Sequence, residues 1–144
     1  MLQAPTVYAL LSDGADFQIN APGTITGDWI TGLEGMQSLA CELRFLYGAG
    51  GATVTVLVQS AMGADGPAYD VAQQTFNVIA STVMFELFSG TTNILAPGVG
   101  GIDSTGTPAV DGILLPVLGD RLRLVVIVAG SYLNTVLAAR VLPK

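Results

Sequence analysis

The stretch CELRFLYGAGGATVTVLVQS, residues 41–60, decides the fold class. It holds two runs of β-forming residues, 41–47 and 52–59, separated by Gly48-Ala49-Gly50-Gly51. In the second run Val54, Val56 and Val58 alternate with threonine, leucine and glutamine, which is the period of a strand that buries one face. The short glycine-rich connection predicts a hairpin between the two strands.

Similar runs, separated by turn residues, recur along the chain. Further strands are predicted at 5–11, 17–20, 25–31, 81–90 and 120–130 and around Phe76, with a last strand at 135–142 lying beside 120–130. A helical alternative exists only for 33–46, where apolar residues recur at helical spacing, but Gly35 weakens it. Seven to nine short strands predict an all-β protein, with residues 1–144 forming one antiparallel β-sandwich domain of jelly-roll type.

The composition indicates a surface that is covered by neighbours. Charged residues make up 11% of the chain, against about 25% in typical domains, and the mean hydropathy is +0.61. Because large apolar patches usually mark interfaces, we expect an oligomer or a lattice subunit. The net charge of −6, with five scattered cations, argues against direct nucleic-acid binding. No apolar run approaches the roughly 20 residues of a membrane span, and the acidic start is a poor secretory signal.

Two segments are candidates for contacts with neighbouring subunits. Residues 89–112 form a Gly/Pro/Thr-rich stretch of 24 residues without any period, longer than structureless loops in compact domains usually are. We expect it to be an extended arm, and we expect the N-terminal segment, 1–11, to make similar contacts. The predicted interface residues are Val7, Tyr8, Ile94, Leu95, Val99 and Ile102.

The chain offers little catalytic chemistry. It has no histidine, which is the commonest general base, and its eleven acids show no spacing that selects a catalytic pair. The single cysteine, Cys41, is expected to be a buried small hydrophobe rather than a reactive thiol. Asp65 with Asp70, or Asp103 with Asp111, could be read as oxygen ligands for calcium, but turn formation explains these acids better. We therefore expect no catalytic residues, no metal site and no cofactor.

The aromatic residues allow a different class of function. A carbohydrate-binding sandwich needs two or three exposed aromatic platforms, which Trp29, Tyr69 and Tyr132 could provide. A lone tryptophan in an apolar β context is more often part of a core or an interface. The two interpretations predict different exposures for these three rings.

One part of the chain resembles a known family. The strand 53–60, the Asp65-Gly66 turn, Tyr69-Asp70 and a strand containing Phe76 resemble a recurring pattern in small virion proteins of tailed bacteriophages. The segment upstream, from Trp29 to the glycines at 48–51, is similar to the same group. The resemblance covers about residues 28–87. Tyr69 stands where tryptophan is frequent in the pattern, and the 89–112 arm has no counterpart in it.

The resemblance implies a head decoration or cement protein. Such a protein is a non-enzymatic β-sandwich subunit, often a homotrimer, that binds the major capsid protein on the exterior of the virion after synthesis in the host cytoplasm. It bridges neighbouring capsid subunits and stabilises the shell, and Asp65-Gly66-Pro67 then serves only as a turn. The alternatives are a tail, neck or baseplate component of the phage, and a carbohydrate-binding module.

Overall fold

The computed structural model describes residues 8–9, 16–88, 112–113 and 118–144, and within these ranges the chain forms twelve strands and no helix. The strands are β1 (Tyr8–Ala9), β2 (Phe17–Ile19), β3 (Gly23–Thr26), β4 (Ser38–Leu46), β5 (Ala49–Gly50), β6 (Thr53–Ala61), β7 (Tyr69–Phe76), β8 (Ser81–Phe88), β9 (Gly112–Ile113), β10 (Arg121–Ala129), β11 (Tyr132–Leu133) and β12 (Thr135–Pro143).

Two five-stranded antiparallel sheets pack face to face. Sheet I has the order β1-β12-β4-β8, and β2 also pairs with β12. Sheet II has the order β3-β10-β6-β7-β9, and a small ladder joins β5 to β11. The predicted all-β antiparallel sandwich is therefore confirmed.

A single hydrophobic core lies between the sheets. The alternation seen in the sequence selects its members, because successive side chains of a strand point to opposite faces. Val56 of β6 lies opposite Val126 of β10 in sheet II, while Phe45 of β4 lies opposite Leu137 of β12 in sheet I. All four are buried, and Cys41 is buried among them.

The predicted hairpin between residues 41–47 and 52–59 is wrong. β4 belongs to sheet I and β6 to sheet II, so the connection between them crosses the sandwich. The expected pairing of 135–142 with 120–130 is wrong for the same reason, because β12 lies in sheet I and β10 in sheet II. Both connections contain a two-residue strand, and these strands, β5 and β11, pair with each other instead.

The local hairpin of this region is β6–β7, and its turn contains Asp65-Gly66-Pro67, as predicted. A β-bulge between Val58 and Gln59 shifts the register of this pair, and Val71 of β7 is fully buried. The helical alternative for 33–46 is not adopted. A turn at Glu34-Gly35 precedes β4, and Gly35 has a φ of +87°.

Candidate interaction surface

Tyr132 joins several connections at one end of the sandwich. Its backbone N–H donates to the carbonyl oxygen of Asn20 (2.7 Å), and its hydroxyl donates to the carbonyl oxygen of Asn77 (3.2 Å). Its ring meets Tyr47 edge-on, with centroids 6.2 Å apart. Four connections therefore meet around Tyr132, a residue that is 2% exposed. They are 20–22, 47–52, 77–80 and 130–134.

An aromatic cluster packs beneath this end. Phe45 stacks on Phe76 at 5.1 Å, which links the two sheets, and it meets Tyr132 edge-on at 5.9 Å. Gly51 lies against the Tyr132 ring with a φ of +74°, and the ring leaves no room for a β-carbon there. Packed aromatic pairs of this kind contribute about 0.5–1.5 kcal/mol beyond the area that they bury. The connections are thus held on a packed base.

The connections at this end expose large apolar side chains and carry no formal charge. Ile79 is 73% exposed, Leu133 66% and Val78 45%, and Leu46 is exposed beside them at the end of β4. The four connections contain no Asp, Glu, Lys or Arg. We call the surface formed by residues 20–22, 47–52, 77–80 and 130–134 the uncharged end.

The opposite end of the sandwich carries charges. Asp120 accepts hydrogen bonds from the Arg121 guanidinium (3.0 Å) and from the backbone N–H of Gly63 (2.9 Å). These bonds, that from Arg121 first, hold the pKa of the Asp120 carboxyl below its usual value. Asp120, together with Glu34 and Asp65, raises the pKa of Arg121. The two ends therefore differ in charge.

A polar network that the sequence did not predict lies on the outer face of sheet II. Gln59 donates to Asp70 (2.7 Å) and accepts from the Nε of Arg123 (2.8 Å). The Arg123 guanidinium lies over the Trp29 ring, 4.4 Å from its centroid. Gln59 and Asp70 are buried. Gln59 lies opposite Asp70 because the bulge shifts the register between Val58 and Gln59. The alternation of residues in the sequence does not show the bulge, so it could not predict this pair.

The three rings considered for carbohydrate binding occupy different environments. Tyr132 is buried, and Tyr69 packs against the core, where burial raises the pKa of its hydroxyl. Trp29 is partly exposed, with Arg123 on its ring. The structure does not bring them together as a set of open platforms.

The acids and the cysteine are also separated. Asp65 is exposed in a turn, whereas Asp70 is buried in β7. Among the residues that the structure describes, no three His, Cys, Asp or Glu side chains lie close enough to hold a metal ion. Burial, followed by the nearby Glu42 carboxylate, raises the pKa of the Cys41 thiol to about 12.

Most residues of the predicted interface lie outside the described ranges. These residues are Val7, Ile94, Leu95, Val99 and Ile102. Asp103 and Asp111, the second pair considered for calcium, also lie outside the described ranges. Of the 89–112 arm only Gly112 is described, in β9. The backbone of Tyr8 pairs with Val141 in sheet I. The described ranges contain no helix long and apolar enough to cross a membrane.

Comparison of the chain with protein-family models, with curated proteins and with solved structures finds no match.

Proposed function

We propose that the chain is a non-enzymatic structural subunit of a tailed-bacteriophage virion that decorates the capsid exterior and bridges neighbouring capsid subunits. The observation that carries this proposal is the uncharged end, where Ile79, Leu133 and Val78 are exposed above a packed aromatic cluster. A surface of this kind suits a permanent contact with another protein, because burying each such side chain contributes about 1.5–3 kcal/mol.

The order in which the chain enters the two sheets supports a jelly-roll assignment within this proposal. The strands of three or more residues alternate between the sheets along the chain, apart from the β6–β7 hairpin, and give the orders β2-β12-β4-β8 and β3-β10-β6-β7. An eight-stranded double sheet with this alternation is a jelly roll, an architecture found in viral capsid proteins and in lectins. A fold alone does not determine function, so the uncharged end remains the primary argument.

The proposed mechanism is thermodynamic. A subunit that binds only the assembled, expanded shell stabilises that state by mass action. The stabilisation increases with the ratio of the free subunit concentration to the Kd of the subunit for the shell. The partner in this mechanism is the major capsid protein. The hydrogen bonds and ring contacts that hold the connections of the uncharged end favour tight binding, because connections that are already held in place lose little conformational entropy on association.

The test is binding of the purified chain to expanded shells that lack it, measured by co-sedimentation. Ile79→Asp places a carboxylate in the proposed contact, and we expect at least about a tenfold loss of affinity, which corresponds to about 1.4 kcal/mol. Met62→Asp is the matched control. Met62 is 60% exposed but lies in the β6–β7 turn, at the far end of β6 from the uncharged end, so this variant should bind like the wild type.

Two results would contradict the proposal. If both variants bind shells with the same affinity as the wild type, the uncharged end is not part of the contact. Absence of binding to shells, combined with binding to isolated tails or to glycans, would favour the tail-component or the carbohydrate-binding alternative.

A further inference from the structure

β8 is a long strand at the edge of sheet I. It pairs with β4 through eight residues, from Ser81 to Phe88, and no other described strand pairs with it. The opposite edge of sheet I differs, because β12 is flanked there by both β1 and β2. An edge strand presents a row of backbone donors and acceptors that can pair with another chain.

β8 lacks the features that normally block such pairing. Its sequence, STVMFELF, contains no Lys and no Pro, and its register with β4 is continuous, without a bulge. In sheet II, by contrast, β7 carries a register shift and has β9 on its outer side. Natural edge strands that stay unpaired are usually short, bulged or charged. β8 is therefore suited to pairing.

The outer face beside this edge is a shallow groove of about 560 Å³. Its lining includes Met84, which is 72% exposed, together with Leu142, Glu42 and Glu86. Arg140, also in the lining, forms a salt bridge of 2.8 Å with Asp16.

Two charged residues near the edge are exposed, one of them in the lining of the groove. Glu86 lies on β8 itself, and Arg44 lies on β4 opposite Thr82. Neither forms an ion pair with any residue that the structure describes. These two side chains are therefore available to a partner.

We propose that β8 pairs with β8 of a second copy of this chain, antiparallel and about a two-fold axis, so that sheet I continues from one protomer into the other. Placing Met84 opposite the partner subunit's Met84 brings Thr82 opposite the partner subunit's Glu86. Arg44 then lies in the same row, two strand spacings or about 10 Å from that glutamate. Both side chains are long enough to approach each other across Thr82, and the two-fold axis repeats the pair.

Charge favours this register over both of its neighbours. A shift by two residues that places the partner subunit's Glu86 opposite Met84 puts that glutamate in the row of Glu42 and takes Arg44 out of its row. The opposite shift places the partner subunit's Thr82 opposite Met84 and leaves Glu86 beyond the end of the partner strand. Only the register centred on Met84 therefore puts Arg44 in one row with the partner subunit's Glu86.

This pairing concerns the chain alone and is independent of shell binding. It gives a closed dimer, because a two-fold contact uses the same surface on both subunits. It therefore differs from the homotrimer that the resemblance implied. Light scattering after size exclusion distinguishes the two states, with a mass of twice or three times 14.8 kDa.

Met84→Lys is the decisive variant. It places two ammonium groups against each other at the axis, and its high exposure should leave the protomer folded. We expect the wild type at about 100 µM to have the dimer mass and Met84→Lys to have the monomer mass, with circular dichroism unchanged. Met62→Lys, which adds the same charge at a site of similar exposure, should remain a dimer.

A charge-reversal cycle tests the register. Glu86→Arg should raise the dimer Kd by about tenfold, Arg44→Glu should do likewise, and the double variant should recover most of the loss. A wild-type monomer at this concentration, or a trimer whose mass is unaffected by Met84→Lys, would overturn the inference. A Met84→Lys monomer with no recovery in the double variant would overturn the proposed register.

Discussion

The hydroxyl of Tyr132 donates a hydrogen bond of 3.2 Å to the carbonyl oxygen of Asn77, in a connection 55 residues earlier in the chain. Both connections pass from sheet II to sheet I, one from β10 to β12 and the other from β7 to β8. The bond therefore ties together two of the crossings that hold the sheets face to face. It also supports the backbone beside Val78 and Ile79, two of the exposed apolar residues of the uncharged end.

Removing this hydroxyl should cost stability without changing the fold. Tyr132→Phe leaves the Asn77 carbonyl without this donor, and we expect the free energy of unfolding to fall by about 1 kcal/mol. Tyr132→Ala also empties a site in the aromatic cluster and should cost about 3–5 kcal/mol. Urea unfolding followed by fluorescence measures both. Equal effects of the two variants would show that the ring contributes nothing to the cluster.

Gly51 should not tolerate a side chain. Its φ of +74° disfavours any residue with a β-carbon, and the added methyl group would meet the Tyr132 ring. We expect Gly51→Ala to lower the free energy of unfolding by about 2 kcal/mol or more. Gly63→Ala is the matched control for backbone strain, because Gly63 has a φ of +75° but open space around it. A loss no larger for Gly51→Ala than for Gly63→Ala would contradict the packing described here.

Stability should fall at alkaline pH because of Cys41. Burial raises the pKa of its thiol from 9.0 to about 12, so the unfolded chain releases this proton at a lower pH than the folded chain. The contribution of the protonated Cys41 thiol to the free energy of unfolding is complete below pH 9. It is lost as the pH rises towards 12, by up to about 1.4 kcal/mol per pH unit. Cys41→Ala should show a shallower slope, measured by urea unfolding between pH 8 and pH 10.5. The variant should retain some pH dependence of stability, because the pKa values of Tyr69 and Tyr132 are also raised in the folded protein.

The Gln59 network should contribute measurably to stability. Gln59→Leu removes the donor to Asp70 and the acceptor of Arg123 together, leaving two polar groups beside an apolar side chain. We expect a loss of about 2–3 kcal/mol in the free energy of unfolding. Because Arg123 lies over Trp29, the tryptophan emission of the folded protein should also shift. An unchanged stability would mean that the network does no more than fill space.

The strands were predictable because burial of one face leaves a period of two in the sequence. Val54, Val56 and Val58 are buried as their alternation indicates, and so are Leu122 and Leu124. Leu57 and Gln59 on the other face of β6 are buried as well, so the prediction that β6 buries only one face is wrong for that part of the strand. The neighbours of each strand were not predictable. β4 pairs with β12, where Glu42 lies opposite Arg140, and no local signal specifies a pairing between residues so far apart in the chain.

The uncharged end was only partly visible in the sequence. The absence of charge in the segments 47–52, 77–80 and 130–134 can be seen in the sequence directly. Their convergence depends on the crossings between sheets, which the incorrectly predicted hairpins concealed. Tyr132 was considered a possible carbohydrate platform, whereas its burial and its bond to Asn77 make it a structural centre.

The most direct test of the proposed function is the position of the chain in the particle. If the proposed function is correct, the chain is encoded by a tailed phage, and cryo-electron microscopy of its virions should show the β-sandwich on the outer surface of the head, with Ile79 and Leu133 facing capsid subunits. Density for the sandwich in the tail, or virions that contain none of the chain, would contradict capsid decoration.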